Sequence, residues 1–152
     1  MKIASEELGR PTTGEDLVSG SGLERLHRVR FILNGRTVEN VSAADITQAT
    51  LSGDPFAVST MNQFLLFLGT LASNAALATG ARRGVLLAGG ILPRIREVLV
   101  SSGFKERFVG QSPMASYLQD IPVNLIIAGD AALRGAYTAL LRARTGDCAT
   151  QI

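Results

Sequence analysis

The sequence predicts an α/β fold, and three observations carry that expectation. Two short runs of Val, Leu and Ile, at 85–87 and 123–127, have the length and side chains of buried strands. A segment with helical spacing follows the first run and separates it from the second. The first half of the chain, by contrast, places its apolar residues at helical intervals. Two strands joined through a helix run parallel with a right-handed crossover. A parallel pair this apolar calls for cover on both faces and for further strands beside it.

The elements follow in order. Residues 1–22 read as a leading segment, turn-rich at GRPTTGED, with a helical turn at Glu15–Val18 and a flexible loop at Ser19-Gly20-Ser21-Gly22. Residues 23–145 form the α/β domain and 146–152 a tail without core-forming pattern. Leu23, Leu26, Val29 and Leu33 share a face of a first amphipathic helix, closed by Asn34-Gly35. Ser42, with Asp45 three residues on, caps a second helix over 43–51. Asp54 caps, and Pro55 opens, a long helix over 55–79 that Gly80 ends. Phe64, Leu65, Leu68, Leu71 and Ala75 lie along one of its faces, while Leu66, Phe67 and Leu77 lie elsewhere, so burial nearly all round is expected. A strand at 85–87, a helix to Ser101, a loop, a strand at 123–127 and a helix over 131–144 complete the chain.

Composition narrows the function classes. At 152 residues one domain is expected, and 46% apolar residues suffice for a sizeable core. Basic and acidic residues are nearly balanced, 15 against 13, and no Lys/Arg cluster is interleaved with aromatics, so nucleic acid is not an expected partner. The stretch 55–81 has no charge, yet Asn62, Gln63, Ser73 and Asn74 punctuate it. A buried helix is expected rather than a membrane span. The single cysteine, Cys148, fits a reducing compartment, and cytoplasm is the expected location.

The densest signal is VLLAGGILPRIRE, residues 85–97. A strand ending in paired glycines leaves bare backbone at its carboxyl end, a place where α/β sheets bind nucleotides. The same pair also serves as a plain strand–helix turn. There is no P-loop lysine, and Gly20-Ser21-Gly22-Leu23-Glu24-Arg25 puts Arg25 where a dinucleotide fingerprint needs glycine. The lone His27, next to Arg28 on a helix, is expected at the surface or at an edge, and no metal site is expected. Asp120 and Asp130 flank the second strand, Asp130 reading as a helix cap or as a base. Arg82-Arg83 reads as a solvated pair or a phosphate contact. Small residues at Gly69, Ala72, Ser73, Ala75 and Ala76 suit either an intrachain contact or a subunit interface.

These residues together resemble the bacterial glucokinase family. Val18–Leu23 resembles its "LSGPGL" segment, with Ser21 in place of the proline. Gly69, Ala72, Asn74, Ala76 and Leu77 are similar to the family's "G..A.N.AL" helix. GVLLAGGILPR, from Gly84 to Arg94, is similar to "GGVFIAGGIVPR". Ser102-Gly103-Phe104, Asp120-Ile121-Pro122-Val123 and DAALRGA from Asp130 resemble "SGF", "DIPV" and the closing helix. The matches keep their order from about Glu15 to Leu140. The resemblance implies part of an actin-like ATPase (ribonuclease H-like) fold, with a small parallel sheet and several packed helices. It also implies phosphoryl transfer from Mg-ATP to the 6-hydroxyl of glucose in a homodimeric enzyme. Gly89 and Gly90 would then form the adenosine turn, with Ile91 and Pro93 behind it.

Several family segments have no counterpart here: the phosphate loops "GDVGGTN" and "GAGTGLG", the "NDF" segment that carries the catalytic aspartate, and the sugar-binding "EGGH". All would precede residue 1. The expectation is a C-terminal portion of a glucokinase, with no catalytic and no metal-binding residue of its own, inactive alone, its Mg2+ held mainly by the preceding part. A non-catalytic oligomerisation module of the same fold is the alternative.

Overall fold

A computed structural model describes residues 2–110 and 113–144. The tail with Cys148 lies outside the described residues. Helix α1 (Lys2–Leu8) and α2 (Glu15–Val18) precede α3 (Gly20–Leu33). The expected loop at 19–22 is instead the opening turn of α3. Ser19 Oγ accepts from Gly22 N at 3.1 Å, so a cap stands where a flexible linker was read. α4 (Ala43–Leu51) and α5 (Pro55–Thr79) carry the caps that their sequences announce. Ser42 Oγ accepts from Asp45 N at 3.2 Å, and an Asp54 carboxylate oxygen accepts from Ala57 N at 2.7 Å. Gly80, left-handed at φ 62°, closes α5.

α5 is the spine of the molecule. It packs against α2, α3 and α4, and against two later helices, α7 (Phe104–Val109) and α8 (Ala115–Gln119). Its buried positions are Ala57, Thr60, Met61, Phe64, Leu65, Gly69, Ala72 and Ala76, a stripe at three- and four-residue spacing. This corrects the expectation of burial all round. Leu68 and Leu71 are only half-buried, and Asn62, Thr70, Asn74 and Ala75 are exposed. By length and composition α5 would pass for a membrane span. Here that length serves a core helix with one solvated flank.

Three of the small residues of α5, Gly69, Ala72 and Ala76, are buried within the chain, while Ala75 is exposed. A Cβ added to Gly69 would sit 2.8 Å from the Phe104 carbonyl oxygen, so only glycine lets α7 approach this closely. Buried hydroxyls are satisfied locally: Thr47, Thr50 and Thr60 donate to the carbonyls of Ala43, Ile46 and Phe56 at 2.6–3.0 Å.

Strands β1 (Val85–Leu87) and β2 (Val123–Leu125) pair in parallel, Val85 opposite Val123 and Leu87 opposite Leu125. β2 is shorter than the run 123–127 suggests. Ile126 N still donates to Leu87 O at 2.8 Å, but β1 turns away after Leu87 and leaves Ile127 without a ladder partner. The connection begins as a 3₁₀ turn (Leu92–Ile95) before α6 (Arg96–Ser101). The stretch read as a loop after Ser101 contains α7 and α8, six and five residues long, too short to show a helical period. α9 (Ala131–Arg144) follows β2 and has no buried residue.

Candidate functional site

The glycine pair ends β1 as the sequence implies. Gly89 adopts φ +138°, a conformation that side chains disfavour, and a Cβ on either Gly89 or Gly90 would meet nothing within 4 Å. The backbone here is bare and open. It forms one wall of a cleft of about 330 Å³. Ala88, Gly89, Gly90 and Ile91 supply that wall, and Phe64 and Leu68 of α5 the apolar side. The third side is Val18, Ser19 and Gly20, where α3 begins.

Three of the four residues singled out from sequence, Gly89, Gly90 and Ile91, line this cleft. Pro93 is outside the lining. It lies in the 3₁₀ turn, half-buried, where its fixed φ suits the first turn of a helix. Sequence reading missed Phe64, Leu68 and the Ser19–Gly20 corner as parts of one site. Their signal was faint, since nothing in the spacing says that residues seventy positions apart converge. The Ser19 hydroxyl already accepts from Gly22 N and lies 3.1 Å from Ser21 Oγ, so it is fixed in place.

The other candidates are scattered. Asp130 accepts from Arg134 Nε at 2.6 Å, and its carbonyl takes Arg134 N, which makes it the structural opening of α9. Asp120 ends α8 and lines a second cavity of about 410 Å³, walled by Leu99, Phe104, Phe108, Leu118 and Ile121. Arg82 and Arg83 are exposed. The Arg82 guanidinium stands 5.8 Å from the centre of the Tyr117 ring, while Tyr117 Oη donates to Ala81 O at 3.0 Å. Among the described residues no three His, Cys, Asp or Glu side chains gather as metal ligands.

His27 corrects the sequence reading most plainly. It is 5% exposed, with Nδ1 3.1 Å from Thr60 Oγ1. Phe31 and Phe56 meet its ring edge to face, each with centroids 5.0 Å away. The helical period puts His27 on the inward face between Leu23 and Val29. Its neighbour Arg28, ion-paired to Glu7, takes the outward one.

A small parallel strand pair crossed through helices, with a long helix spanning the body, forms part of the actin-like α/β fold. The crystal structure of a glucokinase from an Antarctic psychrotroph matches it with a TM-score of 0.81 and 34% identity, over 91% of this chain and 43% of that one. Among curated proteins, the glucokinase of Saccharophagus degradans is 42% identical over 127 residues, 83% of this chain and 39% of its own length. The glucokinase of Caulobacter vibrioides is 40% identical over 126 residues, 83% of this chain and 38% of its own length. The glucokinase family model matches residues 1–143. The chain belongs to the glucokinase family. It spans about two-fifths of the length of the curated relatives it matches, and corresponds to their C-terminal part.

Proposed function

We propose that this chain supplies the adenosine-binding half of an enzyme that transfers the γ-phosphoryl group of ATP to D-glucose, giving ADP and D-glucose 6-phosphate. One observation carries the reading: the glycine turn and the Ser19–Gly20 corner, two segments with independent likeness to the family, face each other across a single cleft. Its volume is at the lower end of small-molecule sites, roughly 300–1,000 Å³. The residues fit a nucleoside. Side-chain-free backbone at Gly89 and Gly90 lets a flat ring approach. Phe64, Leu68 and Ile91 offer apolar surface to it, and the start of α3 at Ser19 and Gly20 borders the same space.

What this chain does in the reaction is hold and orient. ATP supplies the phosphoryl group, and positioning it in line with the sugar hydroxyl is most of what such catalysis requires. No residue here takes the base role, and Mg2+, glucose contacts and the base belong to the part of the enzyme that the relatives carry ahead of this region. Cytoplasmic residence follows from that substrate pair. Homodimerisation, the family expectation, belongs to the same proposal and is read by sedimentation.

The test is a calorimetric titration of the chain with ATP. A weak signal that Gly90→Glu removes supports the reading. Gly90 is the better position because Gly89, at φ +138°, would add backbone strain to any substitution. A signal unchanged by Gly90→Glu, or none at all, overturns the cleft assignment. Glucose 6-phosphate formation by the chain alone would refute the division of labour.

A further inference from the structure

One side of the molecule leaves apolar surface bare. Val85, Leu87, Val123 and Leu125 face the core, and Leu87 is buried in it. Leu86 and Asn124, opposite each other in the ladder, turn to the other face, and both are exposed, Leu86 by 68%. Parallel strands are ordinarily covered on both faces.

α9, which follows this sheet, is bare as well. Apart from Arg134, Thr138, Arg142 and Arg144 it consists of Ala, Leu, Gly and Tyr, yet none of its 14 residues is buried. Leu133, Tyr137 and Leu140, at four- and three-residue spacing, share one flank and are 60–73% exposed. A helix of this length with Gly135 inside it and no packed face is marginal in water. Leu33 and Leu51, exposed elsewhere, each end a helix, and single residues of that kind need no partner.

We propose that the Leu86 face of the sheet and the Leu133–Leu140 flank of α9 are docking surface for the polypeptide that the relatives carry ahead of this region. The partner's identity rests on the function proposed above, which the docking surface extends.

Three features name this occupant. The relatives continue for about three-fifths of their length ahead of the matched part, enough chain to bring further strands and helices. Two strands do not make a sheet that is stable alone, and the described residues of this chain offer no third. Gly89 is three residues after Leu86, about 10 Å along an extended chain, so a partner seated on that face arrives beside the cleft. That is where phosphoryl transfer needs the base, the metal and the sugar contacts that this chain does not supply. A second copy of the chain would cover the same leucines and bring none of these.

The test mixes the intact chain with the first part of the Saccharophagus degradans glucokinase, made as a separate polypeptide ending where the similarity begins. A one-to-one complex is expected by sedimentation, with α9 amide hydrogens exchanging at least about tenfold more slowly than in the chain alone. Leu133→Asp combined with Leu140→Asp should weaken the complex by at least about tenfold and leave the urea midpoint of the chain alone unchanged, because both side chains are in solvent. Leu86→Asp should weaken it as well. No complex, unchanged α9 exchange, or a double variant that binds as tightly as the wild type overturns the proposal. Leu86→Asp binding at full strength removes the sheet face from it. Wild-type dimers that the double variant dissolves would assign the flank to a second copy, which also overturns it. Should the partner piece not fold alone, the two are joined in one polypeptide. The double variant should then lower the unfolding midpoint of the joined protein and not that of the chain, and equal shifts sink the idea. A complex that forms as expected but makes no glucose 6-phosphate from ATP and glucose refutes the proposed function and leaves the docking surface standing.

Discussion

The body around α5 and the side formed by β1, β2 and α9 spend similar residues in different ways. In the first, Leu23, Ile46, Met61 and Leu65 are all 0% exposed. In the second, Leu86, Ile127, Leu133 and Leu140 are 60–73% exposed. The body is assembled largely from helices adjacent in sequence, α3, α4 and α5, with α7 seated in the Gly69 notch, and its core runs on through Leu87, Leu92 and Ile95. Among the described residues the sheet has two strands and two open edges, and α9 follows it with Leu133, Tyr137 and Leu140 exposed. The cleft lies on the border. Its floor comes from the body and its glycine wall from the end of β1, so the rigid part carries the apolar surface and the sheet side carries the bare backbone.

The sharpest test of this contrast is a pair of truncations. Leu65→Ala should cost about 2–5 kcal/mol in urea unfolding, through lost burial and a residual cavity. Leu140→Ala on α9 should change stability by no more than about 0.5 kcal/mol. Comparable losses at both sites would mean that α9 is packed after all. Gly69→Ala comes next. Its methyl group would press on the Phe104 carbonyl, and a cost of about 1–3 kcal/mol is expected, with α7 showing faster amide exchange. Thermal unfolding as stable as the wild type would show that α7 yields freely. Ser19→Ala removes the cap of α3 and should cost about 1 kcal/mol, with a matching loss in nucleotide titration because that turn is also a side of the cleft. The smallest effect belongs to Asp16, which takes both guanidinium nitrogens of Arg10 at 2.7 Å and two bonds from Thr13. Those partners hold its carboxyl well below the ordinary value of about 3.9. Its contribution is thus complete above that value and is lost only as pH falls through the lower folded one. Asp16→Asn should leave stability at neutral pH slightly reduced and its acid limb shallower.

The chain's own residues reveal some of this in advance and hide the rest for physical reasons. Caps are local, so Ser42 and Asp54 were legible, as were the existence of both strands and the glycine turn after Leu87. Ser19 was read as loop because the glycines on either side of Ser21 suggest flexibility, while the hydrogen bond that overrides it cannot be seen in composition. α7 and α8 are shorter than two helical turns and leave no period to detect. His27 was placed outside because its neighbour is charged, but one step along a helix turns by about 100°, enough to separate a buried ring from an arginine ion-paired to Glu7. For the cleft, the glycine wall was legible and the Phe64–Leu68 side was not, because apolar positions on a core helix look alike until a neighbouring element leaves some of them uncovered.

The two tyrosines divide along the same border. Tyr117 is tied by its hydroxyl to Ala81 and lies beneath Arg82, whereas Tyr137 on α9 is 63% exposed. With no tryptophan in the chain, these rings dominate its fluorescence when excited near the tyrosine band. A quencher dissolved in the buffer will reach Tyr137 more readily than the half-buried Tyr117. Any molecule that comes to cover the last helix will then announce itself optically, without a label, by shielding the accessible ring.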